Sequence, residues 1–429
     1  MGAERIPWYK LDNAGALYSA LQREEYSAIY RFSAVMTEPV VPEALQRAID
    51  RCMPRFPGFA VRIRRGLFWY YLEPNRAPGP FLKKDIADPC QPVRFHEDNG
   101  WLVRFYYYEH RISLEVFHAL ADGAGALVFF RSLLAAYLRE LGHDIPCGRA
   151  AGILDPEQPP RIEEMEDAYA RYAGGPSARG MYPPRAYQNT GTPESYYTFR
   201  VTMGFMPLDQ LREKAHARGA SITEYLCAVL MQVILQKQHR ERPHRELPVA
   251  LAIPINLRAF FPTDTLRNFI ATIRPCVDPS LGEYTFDEIL AQVRYFMKLH
   301  ANRQELRTAF TRNVRFTTAP LLKIIPVFLK NPLIAVNYRL MGTRPYSGTY
   351  TNPGVFSVPD AMRPHIHHME VILGQATIPR VHCSSISYGN ILEVTFAGVQ
   401  AETDTEREFF RFLIREGIPV KVESNRPGA

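Results

Sequence analysis

A stretch rich in proline, glycine and polar residues divides this sequence and constrains its fold more than any other feature. The stretch runs from Cys147 to about Glu194 and includes Pro159-Pro160 and Gly174-Gly175-Pro176. Such residues interrupt regular secondary structure, and 429 residues exceed the size at which a single hydrophobic core usually stops growing. We therefore predict two halves, residues 1–146 and 195–429, joined by a crossover linker at 147–194.

Both predicted halves mix strands and helices. Runs rich in apolar and β-branched residues predict the strands, and segments with helical spacing lie between them. In the first half the predicted strands are Ser27–Val35, Phe59–Ile63, Leu67–Leu72, Leu102–Tyr108 and Ile112–Phe117, with a helix at Pro42–Met53. In the second half they are Ser195–Gly204, Leu247–Asn256, Ile270–Val277, His365–Leu373, Arg380–Ser387 and Ile391–Ala397. The sequence predicts an α/β fold of two similar halves.

Composition and charge are those of a globular protein and argue against binding to nucleic acid. Hydrophobic residues make up 46% of the chain and charged residues 22%, as in ordinary globular proteins. The net charge of +7 arises from basic residues interspersed with carboxylates, and there is no basic tail or nucleic-acid motif. We therefore expect no nucleic-acid partner.

The cysteines and the amino terminus favour a cytoplasmic protein. The six cysteines are scattered and include no Cys-x-x-Cys pair, which is typical of reduced thiols. Residues 1–10 lack the apolar core of a signal peptide, and Ile6 stands where a myristoylation signal needs Ser or Thr. We expect no export signal or lipid anchor.

The longest apolar stretch, Pro320 to Val336, falls short of a membrane span. It is interrupted by Lys323, Lys330 and prolines, whereas a spanning helix needs about 20 predominantly apolar residues. We predict no transmembrane segment here, and expect a buried helix or the wall of an apolar pocket. Contact with a membrane surface is the alternative.

One histidine stands at a predicted junction of strand and helix. Residues Arg111 to Phe117 alternate in polarity as a strand does and lead directly into His118. Apolar residues then recur at helical spacing from Leu127 to Leu141, and Gly142 is a plausible helix terminator. His118 is therefore expected in a strand-to-helix turn.

This turn carries residue types suited to acyl transfer. A neutral imidazole such as that of His118 can accept the proton of an alcohol, amine or thiol that attacks a thioester carbonyl. Asp122 would hold the turn by pairing with a distant cation, and Gly123 would let the backbone turn tightly. The alternative is an ordinary hydrogen-bonded histidine, with Asp122 serving only as the helix N-cap.

Three segments together resemble one family. Phe117 to Gly123 resembles the His-x-x-x-Asp-Gly signature of CoA-dependent acyltransferases and peptide-synthetase condensation domains, the chloramphenicol-acetyltransferase-like superfamily. Ile253 to Arg258, followed by Asn268, resembles the Pro-Val-Asn-x-Arg strand of that superfamily. Tyr350 to Gly354 resembles its Ser/Thr-Asn-x-Gly turn. Among the branches, the sequence most resembles microbial alcohol acetyltransferases and the acyltransferases that esterify polyketide or lipid alcohols.

The resemblance implies an architecture and roles for individual residues. It implies two halves built as α+β two-layer sandwiches, with mixed sheets flanked by helices and an active-site tunnel between them. His118 would be the general base, and Asp122 would pair with Arg258 of the other half. Asn256 would help to fix the strand that carries Arg258, while Thr351 and Asn352 are candidates for binding the oxyanion or lining the tunnel.

The resemblance also implies a reaction. Many relatives carry two successive histidines, whereas this chain has Phe117 before His118, which favours simple ester or amide formation over peptide-bond formation. We expect acyl transfer from acyl-CoA to a small alcohol or amine acceptor, with acetyl as a candidate acyl group, acyl-CoA as co-substrate and no permanently bound cofactor. The alternatives are condensation on a substrate bound to an acyl carrier protein, and a non-catalytic member that binds a carrier or another partner protein.

Three other groups of residues are weaker candidates. His365, His367 and His368 lack the carboxylate or cysteine partners of a recognisable site, so we predict no metal. His382 and the serines that follow it lack a nucleophile elbow. The basic segment Arg294 to Arg315 is predicted to be a solvated helical face, with CoA phosphates or an acidic carrier protein as the alternative ligands.

Overall fold

A computed structural model describes residues 9–22, 27–85, 88–177, 183–189, 191–194, 198–241, 246–375 and 381–426. The strands in this part of the chain are β1 (Tyr9–Lys10), β2 (Ile29–Met36), β3 (Val61–Arg65), β4 (Tyr70–Pro74), β5 (Leu82–Lys84), β6 (Val103–Tyr108), β7 (Arg111–Phe117), β8 (Arg200–Pro207), β9 (Val249–Asn256), β10 (Ile270–Ile273), β11 (Cys276–Val277), β12 (Gly348–Thr351), β13 (Ile366–Leu373), β14 (His382–Tyr388), β15 (Ile391–Gly398) and β16 (Lys421–Ser424).

Helices flank these strands. In the described residues they are α1 (Asn13–Leu21), α2 (Pro42–Cys52), α3 (Gly123–Glu140), α4 (Ala168–Tyr172), α5 (Leu208–Ala217), α6 (Ile222–Glu241), α7 (Phe286–His300), α8 (Arg303–Thr318), α9 (Pro320–Ile324), α10 (Val327–Tyr338) and α11 (Asp404–Arg415). The predicted α/β class, with mixed sheets flanked by helices, is confirmed.

Two large mixed sheets organise the fold. The first has the order β13-β2-β7-β6-β5, with β5 parallel to β6 and the other neighbours antiparallel. The second has the order β10-β9-β12-β14-β15-β8-β16, with β11 also paired to β9. In the second sheet β12 runs parallel to both β9 and β14. A small antiparallel sheet, β1-β4-β3, completes the described strands.

Strand β13 connects the two regions of the chain. Although it lies within residues 195–429, it pairs along its length with β2, from Ile366 opposite Met36 to Leu373 opposite Tyr30. The Ser384 hydroxyl of β14 donates a hydrogen bond to the Val371 carbonyl (2.8 Å) and ties β13 to the second sheet. The first sheet therefore includes a strand from the second half of the sequence.

Most predicted strands are present, and the differences have local causes. The predicted strand at 270–277 is split into β10 and β11 around Pro275, which has no N–H to donate and whose carbonyl accepts instead from Leu251 N (3.2 Å). The strand predicted from Leu67 begins only at Tyr70, because Gly66 N donates to the Trp69 carbonyl (2.9 Å) and closes a turn. Residues 195–197 and 380, which were predicted as strand, lie outside the described residues.

The segment predicted as a linker contacts both halves. Its helical pattern near 162–172 forms a 3-10 helix, Ile162–Met165, and then α4. Glu164 pairs with the buried guanidinium of Arg55 (2.6 and 2.8 Å), and the Glu164 carbonyl accepts from Leu266 N (2.8 Å). The Tyr169 hydroxyl both donates to the carbonyl and accepts from the N–H of Ile270 (2.7 and 2.9 Å). The segment therefore makes hydrogen bonds both to residues 1–146 and to residues 195–429.

The expectation of a buried helix at Pro320–Val336 is wrong. The segment forms α9 and α10, which are separated at Pro326, and five of its large apolar side chains are exposed: Ile324, Phe328, Leu329, Leu333 and Val336. Hydropathy measures the composition of a segment but not which of its faces meets the core, and here only one side of α10 packs inward. No single described helix is long and apolar enough to cross a membrane; α5 and α6 meet that criterion only as a pair bent by 81°.

Candidate active site

His118 lies directly after strand β7, as the alternation predicted. Its backbone N–H donates to the Ala28 carbonyl (2.8 Å), and the Tyr30 hydroxyl donates to the Ala121 carbonyl (2.9 Å). Both bonds hold the turn against β2 and the residue before it. Helix α3 begins at Gly123, so the segment is the predicted strand-to-helix turn.

Asn268 fixes the proton of the His118 ring. The Asn268 side-chain amide donates to the His118 carbonyl (2.9 Å) and faces the Asp12 carboxylate (3.3 and 3.4 Å), so its N–H groups have acceptors. Its carbonyl oxygen, Oδ1, is then left to accept from His118 Nδ1 at 3.0 Å. Since Nδ1 carries the proton, Nε2 holds the free lone pair of a base.

Asp12 supports this arrangement from the amino-terminal helix. It is fully buried, caps α1 by accepting from Gly15 N (2.7 Å), and lies 3.6 Å from Arg267 Nε. Burial raises the pKa of Asp12 from 3.8 to about 6, against the opposing effect of the Arg267 charge. At neutral pH the Asp12 carboxylate is therefore mostly ionised. It orients Asn268 by accepting from the NH2 group of that side chain.

The surroundings of His118 keep its imidazole neutral. Burial lowers the pKa of His118, and this outweighs the hydrogen bond to the backbone of His118 itself, the negative charge of Asp122 and the hydrogen bond to Asn268, which all favour the protonated ring. Tyr18 stacks on the ring with centroids 4.3 Å apart, and Tyr30 meets it edge to face at 5.0 Å. These contacts leave the ring in a fixed orientation and ready to accept a proton.

Asp122 joins the turn to the second half of the chain. One carboxylate oxygen caps α3 by accepting from Gly125 N (3.0 Å). The other accepts from Arg258 Nη1 (2.8 Å) and Phe269 N (2.7 Å). Asp122 is thus both the N-cap and one member of the ion pair with Arg258 that the family resemblance implies.

Arg258 is held from several directions. It lies in a one-turn 3-10 helix directly after β9. Its Nε donates to the Thr265 carbonyl (3.0 Å) and its Nη2 to the Arg267 carbonyl (2.6 Å). Asn256 Oδ1 accepts from the Arg258 backbone N–H (3.1 Å) and from Nη1 (3.2 Å). Asn256 therefore positions Arg258 and caps this short turn.

The tight turn predicted at Gly123 is not observed. Gly123 is the first residue of α3 and has no positive φ, and a Cβ there would meet the Phe32 ring at an ordinary 3.5 Å. Gly125 is the glycine that the packing requires, because a Cβ at this position would lie only 1.9 Å from the Leu266 carbonyl oxygen. The first turn of α3 can approach the second half only without a side chain there.

The turn after β12 reaches the same edge of the second sheet as Arg258. Strands β9 and β12 are parallel, with Gly348 opposite Leu251, so their carboxyl ends point the same way. Asn352 Oδ1 accepts from Gly354 N (2.8 Å), and its amide donates to the Thr223 hydroxyl (3.1 Å). With Gly354 at φ +90°, these bonds define a closed turn.

The groups that are weaker candidates on sequence make contacts within the protein, such as that of His368 Nε2 with Glu370 Oε1 (3.3 Å). Among the described residues no three His, Cys, Asp or Glu side chains gather as a metal site requires. His367 and His368 face each other through their Nδ1 atoms (2.6 Å). In the basic segment, Arg294 donates to the Arg218 carbonyl (3.2 Å) and Arg315 to the Gly175 carbonyl (2.7 Å). These two guanidiniums already make bonds within the protein.

Comparison with known proteins identifies the fold. No protein-family model and no curated protein matches the chain. Among solved structures, polyketide synthase associated protein 5 from Mycobacterium tuberculosis superposes with a TM-score of 0.62 at 15% identity, covering 95% of this chain and 98% of that one. The first condensation domain of the calcium-dependent antibiotic synthetase, in complex with a substrate analogue, gives 0.59 at 16% identity and covers 96% and 97%.

The chain has a condensation-domain fold. A variant of the starter condensation domain of rhizomide synthetase, in complex with C8-CoA, also superposes, with a TM-score of 0.59 at 13% identity over 95% of this chain and 94% of that one. The superpositions extend over nearly the whole of each chain, so the likeness includes both sheets. The mixed α/β fold expected from the resemblance to chloramphenicol-acetyltransferase-like proteins, with mixed sheets flanked by helices, is confirmed.

Proposed function

We propose that this protein transfers an acyl group from acyl-CoA to an alcohol or amine acceptor, with His118 as the general base. The observation that carries the proposal is the fixed tautomer: Asn268 binds Nδ1 of His118 and leaves Nε2 with its lone pair. Because burial lowers the pKa of His118, that lone pair is available at neutral pH. Acyl-CoA would be a co-substrate, and no resident cofactor is needed.

The reaction needs no covalent intermediate on the protein. The oxygen of the alcohol, or the nitrogen of the amine, attacks the thioester carbonyl while Nε2 of His118 takes its proton. The tetrahedral intermediate then breaks its carbon–sulfur bond, and the thiolate takes the proton from Nε2. The products are an ester or amide and free CoA, and the imidazole returns to its neutral form.

The contacts between the two halves support a site at their junction. The ion pair between Asp122 and Arg258, and the bond from Phe269 N, hold the His118 turn against the second half. We assign the donor and the acceptor to opposite ends of a tunnel at this junction, which would bring both substrates to His118. Thr351 and Asn352, at the sheet edge that also carries Arg258, are the proposed oxyanion or tunnel residues.

The structural comparisons support a thioester donor and also a second candidate. The rhizomide synthetase domain with this fold was solved with C8-CoA, which supports a CoA-linked acyl group longer than acetyl as donor. Since several proteins with this fold are condensation domains, the second candidate is condensation on a carrier-bound substrate. Phe117, in place of a first histidine, favours the simple transfer.

A thiol-release assay tests the proposal. The purified protein is incubated with acyl-CoA of several chain lengths and a panel of alcohols and amines, and free thiol and acylated product are measured. We expect His118→Ala to lose about 100-fold or more of the turnover, while His143→Ala, a histidine that contacts His365 instead, keeps it. Turnover retained in His118→Ala would exclude His118 as the base.

The same assay separates the alternatives. Offering the acyl group on a carrier protein instead of CoA distinguishes condensation from CoA-dependent transfer. Background thiol release with every donor and acceptor, combined with measurable binding of a carrier protein, would support the non-catalytic binding module and contradict the enzyme.

A further inference from the structure

Helix α10 presents a row of large apolar side chains to solvent. Phe328 is 59% exposed and Leu333 is 54% exposed, and Leu329 and Val336 are exposed on the same side. The opposite side packs inward, where Val327 is buried and α10 meets α1. Helical spacing puts the exposed side chains on one face, so α10 has an apolar face with no protein cover among the described residues.

The hairpin between β3 and β4 extends this apolar face. Its tip carries Leu67 and Trp69, both exposed. Val327 N donates to the Leu67 carbonyl (2.8 Å), and Lys330 Nζ donates to the Phe68 carbonyl (2.5 Å). The tip is thereby fixed to the first turn of α10, which also carries the exposed Phe328.

We call this surface the α10 face and define it by its exposed apolar residues: Leu67, Trp69, Ile324, Phe328, Leu329, Leu333 and Val336. It holds seven of the eighteen large apolar side chains that are exposed in the described part of the chain. Apolar residues scattered singly over a surface are normal, but a contiguous group is typical of a binding surface.

Two exposed cations flank the α10 face. Between Glu305 and Asp360 the sequence contains several Lys and Arg residues but no Asp or Glu. Arg339, at the end of α10, and Arg65, beside the hairpin tip, are exposed. Neither guanidinium forms an ion pair with a described residue, so both are available to an anionic partner.

We propose that the α10 face docks on an anionic lipid surface. Large apolar side chains exposed on one side of a helix, with cationic side chains beside them, can insert into the headgroup region of a bilayer. The aliphatic parts of Arg65 and Arg339 can lie along the apolar side while their charged groups reach lipid phosphates. The sequence that carries α10 has Lys and Arg but no Asp or Glu between Glu305 and Asp360, and this cationic character favours an anionic lipid surface as the partner.

The position of the α10 face connects it to the site. Helix α10 packs on α1, and Tyr18 of α1 stacks on the His118 ring. A bilayer against the α10 face would therefore lie one helix away from the proposed base. The docking proposal itself does not rest on acyl transfer, and its test measures binding alone.

Vesicle co-sedimentation tests the proposal with the full chain. The protein is mixed with vesicles of phosphatidylcholine, or with vesicles containing about one third phosphatidylglycerol, at low and high salt. We expect binding to the anionic vesicles, with weaker binding at high salt. The double variant Phe328→Ser/Leu333→Ser should weaken binding by more than about tenfold. The matched control, Tyr295→Ser/Leu299→Ser, removes two exposed apolar side chains of α7 and should bind as the wild type does.

Several results would overturn the proposal. It fails if the wild type binds neither kind of vesicle, binds both equally, or is weakened as much by the α7 variant as by the α10 variant. It also fails if the wild type is a dimer that becomes a monomer in Phe328→Ser/Leu333→Ser, because the α10 face would then be a protein interface. Thermal unfolding shows that each variant is folded, and Arg65→Gln/Arg339→Gln, which changes no apolar residue, should lose the preference for anionic lipid.

Discussion

Asn268 Oδ1 accepts a hydrogen bond from His118 Nδ1 at 3.0 Å, across 150 positions of sequence. The bond joins the β7–α3 turn of the first half to the segment that precedes β10 in the second. It decides which nitrogen of the imidazole carries the proton. The chemistry proposed for His118 therefore depends on the two halves being assembled.

Replacing Asn268 with Ala should reduce turnover and shift its pH dependence. Activity needs neutral His118, so the rate rises with pH through the lowered pKa of His118 and is level above it. Asn268 favours the protonated ring, so its loss lowers that pKa further and moves the acid limb to lower pH. The plateau should fall about 10- to 100-fold because the tautomer is no longer fixed.

The pH–rate profile of Asn268→Ala is the measurement. Asn302→Ala, which removes the N-cap of α8, is the control and should leave the limb where it is. An unmoved acid limb in Asn268→Ala would mean that Asn268 has only a structural role.

Asp122 and Arg258 should behave as one unit. Asp122→Asn and Arg258→Met are each expected to lower activity about tenfold or more, because either change releases the turn that carries His118. The double variant should be little worse than the single ones, corresponding to a coupling of about 1.5 kcal/mol or more. A double-mutant cycle on turnover and on unfolding measures this coupling.

An exposed ion pair provides the comparison. Lys421 and Glu423 lie 2.8 Å apart on the surface, and their coupling in unfolding should be below about 1 kcal/mol. If the losses of activity in Asp122→Asn and Arg258→Met simply add in the double variant, the two residues do not act as one unit.

Adding one methyl group at Gly125 should destabilise the protein. In Gly125→Ala the new Cβ collides with the Leu266 carbonyl oxygen, so the first turn of α3 and the second half must separate. We expect the free energy of unfolding to fall by about 1–3 kcal/mol. Gly123→Ala, two residues earlier, makes only an ordinary contact with Phe32 and should change it little. Equal effects of the two substitutions in urea unfolding would contradict this account.

Glu393 should make stability depend on pH. It is fully buried in β15, and burial, with a smaller effect of the Glu370 charge, raises its pKa well above 4.5. Below about pH 4.5, Glu393 is protonated in both the folded and the unfolded chain, and its stabilising contribution is fully present. The contribution is lost as the pH rises toward the raised pKa of the folded state, because the unfolded chain gives up its proton first. Glutamine does not titrate. In the interval above about pH 4.5, the free energy of unfolding of Glu393→Gln should therefore rise relative to that of the wild type by about 1.4 kcal/mol per pH unit.

Urea unfolding at several pH values between about 5 and 7 measures this difference. The exposed Glu423→Gln is the control and should follow the wild type. Parallel pH dependence of Glu393→Gln and wild type would show that Glu393 is ionised in the folded protein.

The site could be predicted from sequence where its signals are local. Alternation in β7 and helical spacing in α3 placed His118 in its turn. The pairing of Asp122 with Arg258 has no local signal and came from the resemblance to a family. The contact of Asp12 with Asn268, 256 positions apart, was missed, because nothing near Asp12 distinguishes it from an ordinary helix cap.

The exposure of α10 could not be read from composition. A stretch that includes Phe328 and Leu333 has the hydropathy of a core helix, and only the packing of α1 and the hairpin against one side shows which face remains outside. The pairing of β13 with β2 could not be predicted either, because the residues of a strand do not specify its neighbour when several strands have similar patterns.

Strand β13 also affects how the protein is made. Strand β2 pairs with β7 on one side and needs β13 on the other, and β13 is synthesised only after most of the chain. A nascent first half therefore emerges with an open sheet edge, which is prone to pair with other chains. Long-range pairing of this kind slows folding, so we expect the chain to depend on chaperones during synthesis, and its isolated first half to aggregate.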